Sequence, residues 1–464
     1  MAAAFTARQI ARAVGGRLVR GGEEMEASGV STDTRTLAAG ELFIPLLGPN
    51  FDGHAFVEEA LGAGAAGVLL ERGRLAPAAE GAFAVEVADT LRALGDLARF
   101  HRARHEPAVV AVTGTNGKTT TKEMIGAILA EGAQTLKSEG NLNNLVGLPL
   151  QVLRLGPEHA RAVFEMGMSQ PGEIRRLAEI ALPRVAVITN VAPAHLEGLG
   201  SVEAVREAKG EILEGLGAEG WAVLSADDPQ SRILARRFEE GGGRVLSFGF
   251  SPESGVRGED VRVSAEGTRF ALRMGGEGDE VRLPALGRHN VSNALAAAAA
   301  ASLLGSTREE VVRGLERVAL PRMRLEVRAV AGREGCFLLD DAYNANPASV
   351  LRALEAAVLL RGRGRLFALL GDMKELGAHA EAAHREVGRA AAREADFLAA
   401  VGPMMAHAAE AARAAGMAGE RVRRFEDPAS AAAWVGDLLR PGDWALVKGS
   451  RSMRMERAVE VLAG

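Results

Sequence analysis

Short, nearly unbroken apolar runs, each ending in a polar or glycine-containing turn, constrain this chain more than any other feature. From about residue 105 they read AVVAVTG, AVFEMG, VAVITNV, WAVLSAD and VLSFGF, with helical segments between them. A strand that alternates polar and apolar residues can leave one face in water, but a strand that is apolar throughout needs cover on both faces. The pattern predicts a parallel sheet sandwiched by helices. A second series starts near 320 with CFLLDDAYNANP, RLFALLGDM, FLAAVG and WALVKGS. Ahead of both, LFIPLL and AGVLLE flank a helix around HAFVEEALGAGA, a smaller α/β unit. Between 249 and 284 the runs turn to alternation (VRVSAEGTRFALRM), which predicts an antiparallel edge or hairpin insert, and a helix is expected over 290–304. At 464 residues the chain is too long for one core. The expected architecture is α/β in three domains. A small N-terminal α/β domain (1–104) and a C-terminal Rossmann-like α/β domain (319–464) flank a central parallel-sheet domain (105–318).

Composition removes several classes. A net charge of −5 argues against nucleic acid as the main partner, because neutralising phosphates needs a basic surface. Cys336 is the only cysteine, which excludes internal disulfides and cysteine-rich zinc sites and fits a reducing compartment. The first residues, MAAAFTARQIARAVGG, carry arginines among helically spaced apolar residues and no continuous apolar core, so they do not read as a signal peptide. The longest apolar run, ALAAAAAASLL from Ala294, falls far short of the roughly 20 residues a membrane span needs. A cytoplasmic protein that does not span a membrane is expected.

AVTGTNGKTTTKEM, residues 111–124, follows the first buried run and opens a helix. The usual phosphate-loop pattern G-x-x-x-x-G-K-[ST] requires a glycine five places before Gly117, where this chain has Val112; its first glycine is Gly114, so the loop is two residues short. The chemistry survives the shortening: glycines let backbone N–H groups face a phosphate, Lys118 supplies a point charge and the Thr119 hydroxyl a magnesium ligand. Nucleotide binding is the reading, which makes the central domain a P-loop ATPase unit. Phosphoryl transfer also needs metal ligands from neighbouring strands. Glu165 ends AVFEMG and His195 lies just beyond VAVITNV, both at the loop's end of the sheet.

Lysine is scarce. Of 55 basic residues six are lysine (118, 122, 137, 209, 374 and 448), leaving 49 arginines. Lys122, Lys137 and Lys374 read as ordinary surface placements, whereas Lys118, Lys209 and Lys448 do not. In SVEAVREAKGEILEGL, Lys209 falls on the apolar stripe of Val202, Val205, Ile212 and Leu213. A desolvated lysine loses basicity, and a neutral amine can take up carbon dioxide to form an anionic carbamate that binds magnesium; arginine cannot.

TGTNGKT, GNLNNLVGLP, AVFEMGMS, AHLEGLGS with EAKGEI, LGRHNVSNALAA, DDAYNANP, GDMKELG and VKGSR together resemble the Mur ligases of bacterial cell-wall synthesis, and STDTRTLAAGELFIPLLGPNFDGHAF resembles that family's uridine-nucleotide domain. The resemblance spans essentially the whole chain. DDAYNANP with VKGSR points to the branch that joins D-Ala-D-Ala to UDP-MurNAc-tripeptide through an acyl phosphate formed from ATP. It implies that Gly114, Thr115, Asn116, Gly117, Lys118, Thr119 and Thr120 hold the nucleotide's phosphates. Thr119, Glu165, His195 and a carbamylated Lys209 would serve Mg2+, with Lys118, Lys209, His195 and Glu165 as the catalytic set. Asn293 matches an adenine contact, Arg324 and Asp341 match residues near the ribose and phosphates, and Asn344 stands where relatives carry a residue stacked on ATP. Thr34, Arg35, Asp52 and His54 fall in the UDP-sugar segment, Asn143 and Asn144 on its path to the active site; Lys448 and Ser450 are further substrate contacts. Ala342 departs from the serine of many relatives, and no role depends on it. The expected enzyme works as a monomer. Alternatives are a Mur-type ligase adding one amino acid to UDP-MurNAc-dipeptide, a folylpolyglutamate-synthetase-like ligase, and an NTP-driven switch, against which the chain lacks an N-K-x-D segment.

Overall fold

The computed structural model of the protein describes residues 4–48, 50–74, 80–193 and 196–464. Three main sheets follow one another along the chain. The first has five strands in the spatial order Arg17–Arg20, Phe83–Val87, Gly67–Glu71, Leu42–Phe43 and Val30–Ser31, with Arg17–Arg20 antiparallel to its neighbour and the others parallel. The run LFIPLL gives only a two-residue strand there, Leu42–Phe43, in keeping with proline's inability to donate a ladder hydrogen bond. Helix Thr90–Arg104 leads out of this sheet toward the next.

The second sheet has nine strands. In chain order its active-site side is built from β1 (Ala108–Thr113), α1 (Lys118–Gly132), β2 (Thr135–Lys137), β3 (Arg161–Glu165), β4 (Val185–Ile188), α2 (Val202–Gly210) and β5 (Trp221–Ser225). In space the order is β2, β3, β1, β4, β5, all parallel. The chain first moves to one side of β1 and then crosses to the other, so β1 is a switch point, the place where open parallel sheets form a ligand crevice. Val110 and Val112 point into a core shared with Met124, Ile125, Ile128 and Leu129 of α1, while Val109 and Ala111 point into one shared with Leu94, Leu97 and Leu177. That two-sided burial is why the runs carry no polar alternation. The alternating segment forms three long strands, Val256–Ser264, Gly267–Met274 and Glu277–Leu283, which pair antiparallel and extend the same sheet to its edge. Helix α3 (Arg288–Leu303) follows, with Ala294 and Ala296–Ala301 fully buried against α1 and the sheet.

The third sheet has six strands. Its parallel part includes β6 (Phe337–Asp341), β7 (Leu366–Gly371), β8 (Phe397–Val401) and β9 (Trp444–Lys448), and helix α4 (Pro347–Arg361) follows β6. β9 lies between β6 and β7, making a second switch point. Among the described residues no helix is long and apolar enough to cross a membrane.

Candidate active site

The loop after β1 turns on two glycines. Gly114 has φ +146° and a Cβ there would lie 1.9 Å from Thr189 Oγ1; Gly117 has φ +81° and a Cβ there would lie 2.3 Å from Asn293 Oδ1. Glycine at these positions lets the end of β4 and helix α3 close on the loop. The same neighbours fix its shape. Asn190 faces the Asn116 peptide group as another peptide would: its Oδ1 accepts from Asn116 N at 3.1 Å and its Nδ2 donates to Asn116 O at 3.0 Å. Thr189 Oγ1 donates to the same carbonyl at 2.6 Å. Thr115 N donates to Asn190 O at 2.9 Å, and Ala192 N donates to Thr115 Oγ1 at 3.0 Å. Residues 189–192 thus supply the contacts that shape a loop two residues short. Thr189 and Asn190 were missed at the level of sequence, although an asparagine at the end of a strand predicted to neighbour the loop was a usable signal.

Charge gathers on the loop's open side. Lys118 curls back, Nζ donating to Gly114 O at 2.9 Å. Burial pushes its amine below the ordinary lysine value, Glu165 opposes this and Arg324 adds to it. Lys209, on α2, is 2% exposed, and burial, helped by the nearby Lys118, pushes its amine well below the ordinary value. Glu165 pairs in register with Val112, just ahead of the loop. Its Oε1 accepts from Asn143 Nδ2 at 2.8 Å, while Oε2 is buried and has no partner among the described residues. A buried carboxylate oxygen without a partner is costly, and here it lies beside Lys118 and the loop. His195 lies outside the described residues.

The third sheet reaches this site. Arg324 Nη2 donates to Thr119 Oγ1 at 3.1 Å, with its guanidinium 4.3 Å from the ring centre of Tyr343, the chain's single tyrosine. Asn346 Nδ2 donates to Asn116 Oδ1 at 2.8 Å. At the second switch point Asp341 and Lys448 pair in register, and Lys448 Nζ donates to the Asp341 carboxylate and, at 2.9 Å, to Asn344 O. Burial raises the Asp341 pKa and Lys448 opposes the rise. Ser450 Oγ accepts from Lys374 N at 2.9 Å. The Asn344 side chain turns back to accept from Ala345 N at 2.9 Å. Asn293 is 7% exposed, donates to Asn290 Oδ1 at 3.0 Å and abuts Gly117.

The other candidates sit apart or serve the backbone. Thr34, Arg35, Asp52 and His54 belong to the region of the first sheet: Asp52 accepts from His54 Nδ1 at 2.8 Å and Arg74 Nη2 at 2.6 Å, while Glu71 N donates to His54 Nε2 at 3.2 Å and Arg35 pairs with Asp33. Asn144 Oδ1 accepts from Val146 N and Gly147 N. One expectation is overturned: Lys122 is not a surface lysine but fully buried, donating to Ser138 O at 2.7 Å and pairing with Glu123 at 2.8 Å. Helix α1 turns that side toward the end of β2 rather than toward water. Lys137 and Lys374 are each about half exposed, as expected.

The sequence patterns of the Mur ligase family, catalytic domain, the Mur ligase middle domain and the Mur ligase, glutamate ligase domain match residues 26–102, 112–301 and 323–451. A relative from Bacillus subtilis (strain 168), UDP-N-acetylmuramoyl-tripeptide--D-alanyl-D-alanine ligase, is 38% identical over 459 residues, 98% of each chain. The chain belongs to the Mur ligase family. Among solved Mur ligases, a MurF from Acinetobacter baumannii superposes with a TM-score of 0.90 at 32% identity, covering 99% of this chain and 98% of that one. A MurF ligase from Thermotoga maritima in complex with ADP gives 0.81 at 28% identity over 93% and 96%.

Proposed function

We propose that the protein is the ATP-dependent ligase that joins D-Ala-D-Ala to UDP-MurNAc-tripeptide in peptidoglycan precursor synthesis. The observation that carries this is the 38% identity with the Bacillus subtilis ligase over 98% of both chains. Convergence of Lys118, Glu165, Lys209 and Arg324 on one loop supports it. We take residues 1–104 as the UDP-sugar domain, 105–318 as the ATP domain and 319–464 as the ligase domain of an enzyme that works as a monomer in the cytoplasm.

The reaction brings two anions together, so most of the protein's task is positioning and charge neutralisation. Lys118 and the loop's N–H groups hold the transferring phosphoryl group against the terminal carboxylate of the tripeptide, giving an acyl phosphate and ADP. Arg324 moves from Thr119 to the phosphates, and Tyr343 keeps its guanidinium plane oriented. The amine of D-Ala-D-Ala attacks the acyl carbon, phosphate leaves and an amide remains. Acyl phosphates hydrolyse, so the third domain excludes water as it closes on the loop. Among the described residues the donors fit Mg2+: the free oxygen of Glu165, the Thr119 hydroxyl and a carbamate on Lys209 would hold it, with His195 the further ligand the resemblance implies, and the ion would neutralise phosphate charge. The depressed basicity of Lys209 supplies the neutral amine the carbamate needs.

ADP release measured with UDP-MurNAc-tripeptide, with and without D-Ala-D-Ala, tests the proposal. Sustained release and a new amide are expected only with both. Turnover with a single amino acid on UDP-MurNAc-dipeptide, with a folate acceptor, or with no carboxylate acceptor at all would replace it.

A further inference from the structure

Lys122 is the most deeply buried cation among the described residues, at 0% exposure. It lies one helical turn beyond Lys118, where α1 otherwise presents Met124, Ile125, Ile128 and Leu129 to the core. Withdrawing an ammonium from water is costly, and one neighbouring carboxylate seldom offsets it. Glu123 supplies that carboxylate and shares it with Lys137. An apolar side chain would pack there without the cost, so the hydrogen bond Lys122 donates is the feature that sets it apart. That bond goes to Ser138 O at 2.7 Å. Ser138 directly follows β2, is 2% exposed, and is tied by its N–H to Val163 O at 2.9 Å. Its hydroxyl accepts from Glu165 N at 3.1 Å. A chain of contacts therefore runs from ammonium to carbonyl, and through the same residue from hydroxyl to the backbone amide of Glu165, the residue whose side-chain Oε2 is buried without a partner.

We infer that Lys122 is a positioning residue for the divalent-cation site: by fixing Ser138 it fixes the end of β3, and so aims the free oxygen of Glu165 at the phosphate loop. The inference rests on the proposed role of Glu165 as a metal ligand. Lysine rather than arginine suits it, because a guanidinium is too large and too planar for a single buried carbonyl.

The test is Mn2+ binding followed by electron paramagnetic resonance with ADP present, on the wild-type chain and on Lys122→Met, Ser138→Ala, the double variant and Glu165→Gln. Lys122→Met and Ser138→Ala should each weaken Mn2+ about tenfold, the usual loss when a ligand's supporting contact is removed. The double variant should bind no worse than the weaker single, because both act along one path. A Lys122→Met chain with a lower Tm but Mn2+ affinity within twofold of wild type would reduce the lysine to a brace, as would effects that multiply in the double variant. If Lys122→Met does not fold, Lys122→Gln, which withdraws the ammonium from the Ser138 carbonyl, is read by the same twofold limit. Unchanged Mn2+ binding in Glu165→Gln would overturn the metal-site reading itself, and the inference with it.

Discussion

Replacing Gly117 by alanine perturbs the phosphate loop where it meets helix α3. The residue has φ +81° and ψ −3°, a left-handed conformation that costs a residue with a Cβ about 1–2 kcal/mol. The added methyl would lie 2.3 Å from Asn293 Oδ1. Asn293 has little room to yield: it is 7% exposed and tied to Asn290 at 3.0 Å. Overpacking of this kind costs about 1–3 kcal/mol. If nucleotide binds only to the observed loop conformation, the two penalties weaken it by about 2–5 kcal/mol, roughly 30-fold to several-thousand-fold in Kd. Equilibrium binding of a fluorescent ADP analogue reads the loss, and circular dichroism shows whether the fold persists. In an Asn293→Ala background the clash is gone, so adding Gly117→Ala should cost only the backbone share, roughly five- to thirty-fold. An equal factor in both backgrounds, or a loss under threefold in the wild type, would refute the reasoning.

Lys209→Arg should abolish ligation although charge is kept, because a guanidinium forms no carbamate; near-normal turnover by a folded variant would remove the carbamate. Asn190→Ala leaves Asn116 N without its acceptor, worth about 1–3 kcal/mol when buried, so KM for ATP should rise while KM for D-Ala-D-Ala stays level, and equal rises in both would contradict the clamp. Asp340, 1% exposed, has its pKa pushed up to about 6, chiefly by burial. A carboxyl that holds its proton more tightly folded than unfolded stabilises the fold at low pH and loses that contribution as pH rises through about 6. Asp340→Asn retains the acceptor for Ala342 N and should raise Tm by a few degrees at pH 8 but not at pH 4.5; thermal melts that shift equally at both would count against it.

The layered sheets were legible because parallel strands buried on both faces write their environment directly into composition, and the break at 249–284 marked where burial becomes one-sided. The loop was legible because its chemistry needs particular residues at fixed spacing. The environment of Lys122 was not: nothing in KEM says whether that side of a helix meets water or the end of a distant strand. The Asn190 clamp was legible only as an asparagine at a strand end, since its partner lies 74 residues away. Arg324 could be assigned to phosphates by resemblance, but its place on Tyr343 and Thr119 depends on how two separately folded sheets approach each other. Local pattern carries secondary structure and loop chemistry, while contacts between sheets depend on packing that single segments do not encode.

Arg324 and Thr119 stand on opposite sides of the junction between the second and third sheets, joined by one hydrogen bond at 3.1 Å. A hydroxyl engaged by a guanidinium offers one lone pair fewer to any incoming ion, so ion binding at Thr119 competes with this bond. A small anionic wedge that gripped both groups together would lock the junction shut without imitating adenine. Drug design against such a chain gains a target defined by where two sheets meet rather than by the shape of its fuel.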